Sequence, residues 1–104
     1  MRATNYITIE FPSRSANEGF ARSAVAAFAV QLDPTLEELG DIKTAVSEAV
    51  TNAIVHAYPD SIGQVVVKVR ICPDQVLEVT VRDHGRGTTV VMRKRLAPRL
   101  KSGT

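Results

Sequence analysis

Hydrophobic and polar residues alternate near the start of the chain, a pattern typical of a strand with one buried face. Over residues 6–11 the apolar side chains of Ile7, Ile9 and Phe11 fall on one side, and polar residues fall on the other. In a strand, successive side chains point to opposite faces, so these three residues would share the buried face. Pro12 removes a backbone donor and ends the pattern, which predicts a first strand that stops at this point.

A first helix is predicted over residues 19–31. Ser15 and Glu18 have the spacing of a capping box directly before this alanine-rich stretch. Four of its apolar residues fall on one helical face: Phe20, Ala24, Ala27 and Phe28.

A second helix is predicted from about Pro34 to Ala57, ending before Pro59. Asp33 is the expected N-cap, and the proline would occupy the first helical position, where its missing N–H costs nothing. The apolar stripe of this helix consists of Leu39, Ile42, Val46, Ala49, Val50, Ala53 and Ala57.

Three further strands complete the pattern. Residues 65–71 and 77–81 alternate between apolar and polar positions, with a turn at Pro73 and Asp74 between them, and a last strand covers about 88–96. Because both helices lie between the first and second strands, the order predicts an α+β, two-layer sandwich with helices on one face of a mixed β-sheet. We expect one domain over residues 1–96 and a basic tail over residues 97–104.

Composition supports an ordinary globular domain and limits its partners. The 104 residues are 44% hydrophobic and 23% charged, with one cysteine, so an internal disulfide is excluded. No apolar run is long enough to span a bilayer, and we expect a cytoplasmic protein without a membrane partner. The net charge of +2 is uneven, because the basic residues after Met92 have no acidic neighbours. That end contains no aromatic residue and no nucleic-acid motif, so direct nucleic-acid binding is not expected.

Two polar residues of the second helix are candidates for chemistry. Asn52 follows Glu48 by one turn and lies about 40° further around the helix axis, beside the apolar stripe. A carboxylate and an amide oxygen so placed can bind Mg²⁺ or orient a nucleophile. The same spacing is also common among solvated surface residues, so the pair alone does not define a site.

Asp83 ends the third predicted strand and has the same parity as Val79 and Val81, which points its carboxylate towards the helices. A carboxylate on the core side of a sheet requires a partner. Gly85 and Gly87 follow and permit either a close backbone approach to a ligand or a turn that Asp83 caps. Both interpretations remain open from this motif alone.

Together the two elements resemble the N box and the first glycine box of the GHKL ATPases and histidine kinases. The N-box-like segment covers residues 48–56, and the glycine-box-like segment covers residues 83–87. Further stretches at residues 20–22, 26–28, 31–35 and 47–53 resemble the sporulation anti-sigma F factors of spore-forming bacteria, which are serine kinases. The similarity extends over nearly the whole chain up to Leu96.

The resemblance implies a role for each candidate residue. Glu48 would be the general base for the substrate serine, and Asn52 would bind the Mg²⁺ on the phosphates of ATP or ADP. Asp83 would accept a hydrogen bond from the adenine amino group. The remaining nucleotide contacts would come from Gly85, Gly87, Thr88 and Thr89.

The resemblance also implies partners. Members of this family hold a sigma factor, phosphorylate an anti-anti-sigma protein and work as homodimers. Glu18 and Arg22 lie at positions that resemble the family's sigma-contacting surface, although an i,i+4 surface pair is the alternative interpretation. A binding domain without catalysis and a histidine-kinase catalytic domain are the competing functions.

One departure from the family pattern concerns the nucleotide lid. In the family, a long segment with the ATP lid and a second glycine-rich motif separates the first glycine box from the Gly-Thr-Thr strand. Here Thr88 follows Gly87 directly. A designed removal, a natural deletion and a sequence closed up over absent residues all remain open. Phosphoryl transfer depends on positioning and charge neutralisation, so we expect weak ATP binding and poor kinase activity from this chain.

Overall fold

A computed structural model describes residues 4–57, 60–84 and 89–97. Two helices cover one face of a four-stranded sheet whose strand order follows the chain. The elements are β1 (Asn5–Pro12), α1 (Ala16–Ala29), α2 (Leu36–Asn52), β2 (Gln64–Cys72), β3 (Val76–Asp83) and β4 (Thr89–Arg95).

This architecture confirms the predicted α+β sandwich with its helices on one face. The sheet is not mixed, however, since each of the three described strand pairs is antiparallel. A parallel pair needs a crossover connection of about a dozen residues or more. Three residues separate β2 from β3 and five separate β3 from β4, so only antiparallel pairing is possible there.

The core lies between the helices and one face of the sheet. Strand register places Ile9, Val67 and Val81 side by side, and neighbouring positions continue the apolar face. Val67 and Val81 are almost fully buried, as are Ile42, Val46 and Val50 from α2. Burial of such side chains stabilises the fold by roughly 1.5–3 kcal/mol each. The predicted parity of the strands and most of the predicted α2 stripe are confirmed.

The start of α1 differs from its prediction. Ser15 has helical backbone angles and its side chain caps nothing, so the expected capping box with Glu18 is wrong. The N–H groups of Asn17 and Glu18 instead donate to the carbonyl oxygens of Arg14 and Ser15, at 2.9 and 3.1 Å. Because backbone acceptors already satisfy these donors, the glutamate side chain is left to contact α2.

The buried face of α1 also differs from the expected one. The side chains that enter the core are Ala21, Val25, Ala26 and Ala29. Phe20 is 62% exposed, and Phe28 is only partly buried at the edge of the core. In a helix this rich in alanine, several faces have an apolar pattern, so the pattern does not specify which face is buried.

The start of α2 lies two residues later than predicted. Asp33 is not the N-cap, because its φ of 53° and ψ of 56° place it in the left-handed region. Asp33 instead ends a short 3-10 helix over Val30–Leu32, and its N–H donates to the carbonyl oxygen of Val30 at 2.9 Å. Thr35 is the N-cap, and it forms a complete capping box with Glu38 through bonds of 3.0 and 2.9 Å.

The end of α2 changes its hydrogen-bonding pattern directly after Asn52. Residues Ala53–Ala57 form a π-helical turn, so the helical segment still ends at Ala57, as predicted. Single π-turns inside helical segments are rare and frequently occur at functional sites.

The segment after β4 returns to the helix layer. The N–H of Leu96, which is fully buried, donates to the carbonyl oxygen of Gln75 at 2.9 Å. The next N–H, that of Ala97, donates to Glu38 Oε2 at 3.0 Å. The first bond joins this segment to the turn between β2 and β3, and the second attaches it to the first turn of α2.

Candidate functional site

An open cleft lies between the first turns of α1 and the C-terminal half of α2. Its volume is about 320 Å³, and its lining consists of Glu18, Ser47, Glu48, Thr51 and Asn52. Glu48 and Asn52 are both exposed to solvent. The structure therefore places Glu48 and Asn52, the two candidate residues of the N-box-like segment, together in one open cleft.

Four side chains join α1 to α2 at the edge of this cleft, and we call them the α1–α2 junction: Glu18, Arg22, Ser47 and Thr51. Thr51 Oγ1 donates to Glu18 Oε2 at 2.8 Å. Arg22 Nη1 lies 3.3 Å from both Glu18 Oε1 and Ser47 Oγ. The i,i+4 pair predicted on α1 is thus present, but it is bonded to α2 and is half-buried.

Asp83 lies at the end of β3 with its carboxyl group facing the helix layer. Its exposure is 3%, and it is paired across the sheet with the core residue Val65. The predicted direction of this side chain is confirmed. β3 also contacts the π-helical turn that follows Asn52, so the strand that ends with Asp83 packs against the end of the helical segment that carries Asn52.

An apolar cavity of about 70 Å³ lies between α2 and the β3–β4 edge of the sheet. Its walls are Ala45, Val46, Ala49, Val79, Val81 and Met92. Val79 and Val81 share the core face of β3 with Asp83, so the cavity is on the side to which that acid points. Drug-sized ligands occupy pockets of roughly 300–1,000 Å³, so this cavity is too small for a purine ring in the present geometry.

The other predicted nucleotide contacts lie at the β3–β4 connection. Gly85, Gly87 and Thr88 are outside the described residues. Thr89 is the first residue of β4, where it is paired with Arg82 of β3.

Sequence reasoning missed two polar residues of the cleft, Ser47 and Thr51. Each directly precedes a predicted site residue, and both lie on the side of α2 that faces α1. Their spacing of four residues was the available signal, because residues at i and i+4 share a helical face. Because α1 was expected to pack through Phe20, the side of α2 that faces α1 was not predicted.

A sequence model of the histidine kinase-like ATPase domain matches residues 11–102. The chain belongs to this family. The fold described above, with two helices on an antiparallel sheet, is consistent with such a domain.

Curated relatives of this ATPase domain are anti-sigma F factors. The chain is 53% identical over 87 residues to that of Thermoanaerobacter sp. (strain X514), covering 84% of the chain and 60% of the relative. It is 56% identical over 84 residues to that of Clostridium perfringens (strain SM101 / Type A), covering 80% and 59%. For Heyndrickxia coagulans the identity is 56% over 86 residues, covering 80% and 57%. The chain therefore spans about 60% of the length of the curated relatives it matches.

The residues of this histidine kinase-like ATPase domain fit a nucleotide-bound magnesium ion better than a metal held by protein alone. Among the described residues, no group of three or more His, Cys, Asp or Glu side chains could hold a metal. Mg²⁺ usually keeps several waters and binds through one or two protein ligands together with substrate phosphates. Asn52 offers an accessible amide oxygen for this purpose. No helix in the described part of the chain has the length and apolar character to cross a membrane.

Proposed function

We propose that this chain is an anti-sigma factor of the kinase type. It binds a sigma factor, transfers a phosphoryl group from ATP to a serine of an anti-anti-sigma protein, and acts as a homodimer. The observation that carries this proposal is the cleft in which Glu48 and Asn52 are exposed side by side, with the buried Asp83 at the end of the neighbouring strand. The names of the relatives support the same function.

In this proposal Glu48 is the general base. Its carboxylate accepts the proton that the substrate serine loses as the serine oxygen bonds to the γ-phosphorus and the bond from that phosphorus to the ADP oxygen breaks. Glu48 is exposed in an open cleft, so a serine on the surface of another protein can reach it. A positioned base typically accelerates a reaction by about 10²–10⁴-fold.

Asn52 and Asp83 bind the nucleotide in this proposal. The amide oxygen of Asn52 coordinates Mg²⁺, and the Asp83 carboxylate accepts a hydrogen bond from the adenine amino group. When bound, Mg-ATP supplies the phosphoryl group and the cation that neutralises its charge. The apolar cavity beside α2 would need to widen for adenine, because about 70 Å³ is too small for it.

A second candidate is a domain that binds the sigma factor without catalysis. The direct connection of Gly87 to Thr88 favours it, since the family's phosphate-binding lid is absent from that position. The small cavity also favours it.

Titration with Mg-ATP, followed by a phosphoryl-transfer assay, separates the two candidates. We expect binding weaker than micromolar for the 104-residue chain, because the adenine contacts survive while most phosphate contacts do not. Sub-micromolar binding would show that the lid segment contributes little to nucleotide affinity. Asp83→Asn should weaken binding further and reduce the preference for ATP over GTP, since an amide lacks the charge and can donate to the guanine carbonyl.

The transfer assay gives three distinguishable results. Phosphoserine on the anti-anti-sigma protein supports the kinase. Sigma-factor binding without phosphoserine supports the second candidate. A folded chain with neither property contradicts the anti-sigma proposal itself.

A further inference from the structure

The α1–α2 junction connects the residues resembling the family's sigma-contacting surface to the cleft that contains the proposed base. Glu18 and Arg22 do not simply project from α1 into solvent. Side-chain exposures of 27% for Glu18 and 42% for Arg22 leave both partly buried, and each contacts a side chain of α2. A role confined to partner binding would not require these contacts.

The contacts fall beside the two residues proposed for chemistry. Thr51, which donates to Glu18 at 2.8 Å, directly precedes Asn52. Ser47, which lies 3.3 Å from Arg22, directly precedes Glu48. Consecutive helical residues share a rigid backbone, so bonds at Ser47 and Thr51 fix the height and rotation of the two turns that carry Glu48 and Asn52.

Both oxygens of the Glu18 carboxylate are used in this arrangement. Oε2 accepts from Thr51, and Oε1 lies against the Arg22 guanidinium. The 2.8 Å distance is the usual length of an O–H···O hydrogen bond. Because its acceptor is a carboxylate, the bond is stronger than one between neutral groups. The longer contacts of Arg22 hold the carboxylate in orientation and add a second connection to α2.

We propose that Glu18 and Arg22 are positioning residues for the phosphoryl-transfer cleft, fixing the turns of α2 that carry Glu48 and Asn52 through Thr51 and Ser47. This inference rests on the proposed kinase function. The fixation matters because a reacting group must lie within a fraction of an ångström of its productive position, and a displacement of 1 Å can lower the rate about 100-fold. The π-helical turn directly after Asn52 interrupts the regular α-helical bonding, and the Thr51–Glu18 bond restrains the turn directly before it.

A set of threonine variants tests the proposal. Thr51→Val keeps the shape of the side chain and removes only the hydroxyl that donates to Glu18. Thr51→Ser restores a hydroxyl. Thr44→Val is the matched control, because Thr44 is an exposed threonine of the same helix outside the cleft lining.

The first measurement is the amide NMR spectrum and hydrogen exchange of the 104-residue chain. We expect Thr51→Val to shift the signals of Glu48 and Asn52 and to accelerate exchange in the turn after Asn52. Thr51→Ser should return the signals towards wild type, and Thr44→Val should leave them unchanged. In a Glu18→Ala background, Thr51→Val should change the Glu48 and Asn52 signals little further, because the Thr51–Glu18 bond is already lost. Unchanged Glu48 and Asn52 signals in Thr51→Val, or no recovery in Thr51→Ser, would overturn the positioning role.

The second measurement is steady-state phosphoryl transfer to the anti-anti-sigma protein. Positioning predicts that Thr51→Val lowers kcat about tenfold or more and changes the KM for the protein substrate less than about twofold. A raised KM with unchanged kcat would show a contact role and contradict positioning. If wild-type protein transfers no phosphoryl group, the kinase proposal fails, and the NMR measurement alone decides the positioning role.

Discussion

The two halves of α2 are held by different parts of the molecule. Its N-terminal half begins with the Thr35–Glu38 capping box, and Glu38 also accepts from Ala97 beyond β4. Its C-terminal half carries Glu48 and Asn52 and is bonded to α1 through Ser47 and Thr51. Side-chain hydrogen bonds therefore attach the first half to the segment after β4 and the second half to α1.

The polar side chains of the two halves have different roles: those of the first half stabilise the helix start, and those of the second half line the proposed site. Side chains in the first half satisfy backbone groups at the helix start, where four N–H groups lack helical partners. The polar side chains of the second half surround an open cleft, and α-helical bonding gives way to a π-turn just beyond them. We therefore expect substitutions of the exposed cleft residues in the second half to change activity more than stability, and substitutions in the capping box of the first half to do the reverse.

The largest expected effect is that of Glu48→Gln. In protein that retains phosphoryl transfer, loss of the general base should lower the rate by about 10²–10⁴-fold, while Mg-ATP affinity stays nearly unchanged. Stability should change by less than about 0.5 kcal/mol, because Glu48 is exposed. Phosphoryl-transfer kinetics, nucleotide titration and urea denaturation measure the three quantities.

Asn52→Ala is the matched comparison for Glu48→Gln. Asn52 lies in the same cleft as Glu48, one helical turn away. As the proposed Mg²⁺ ligand, its loss should weaken Mg-ATP binding and leave ATP binding without magnesium almost unaffected. If both substitutions unfold the domain, the two residues are structural and the comparison between the halves of α2 fails.

The opposite half of α2 is tested by Thr35→Ala, for which we expect a loss of about 1 kcal/mol in the free energy of unfolding. Thr35 Oγ1 accepts from Glu38 N–H at 3.0 Å, and alanine leaves this donor unsatisfied. Urea denaturation measures the loss. Ser15→Ala is the control, since Ser15 has the same position before α1 but its side chain forms no cap. Equal effects of the two substitutions would show that the capping box contributes nothing.

These two serine and threonine positions also show what the sequence could predict. Ser15 and Thr35 are each followed three residues later by glutamate, yet only Thr35 forms the box. The outcome depends on backbone angles before the helix. Thr35 has extended angles, whereas Ser15 has helical ones. The Glu18 side chain accepts from Thr51 of α2 instead.

Strand parity predicted the direction of Asp83 correctly, whereas the helix pattern predicted the wrong buried face of α1. Alternation alone placed Asp83 on the core face, and the structure agrees, because a residue's side of a sheet follows from counting. The cleft could not be predicted in this way. It depends on which face of α1 packs against α2, and an alanine-rich helix does not specify that face.

The smallest expected effect concerns the ion pair between Asp41 of α2 and Lys94 of β4. Their nearest charged atoms are 3.5 Å apart, and the Asp41 side chain is 62% exposed. Exposed pairs of this kind contribute about 0.2–1 kcal/mol, and salt screens them. Asp41→Asn should therefore lower the free energy of unfolding by less than about 0.5 kcal/mol at low salt, and this difference should vanish near 1 M salt.

A double-mutant cycle with Lys94→Met isolates the pair from the packing of the lysine stem. A coupling above about 1 kcal/mol that persists in salt would mean that the sheet edge holds the N-terminal half of α2 through charge as well as through the Ala97 bond. In that case an ion pair as well as hydrogen bonds would distinguish the attachment of the N-terminal half of α2 from that of its C-terminal half.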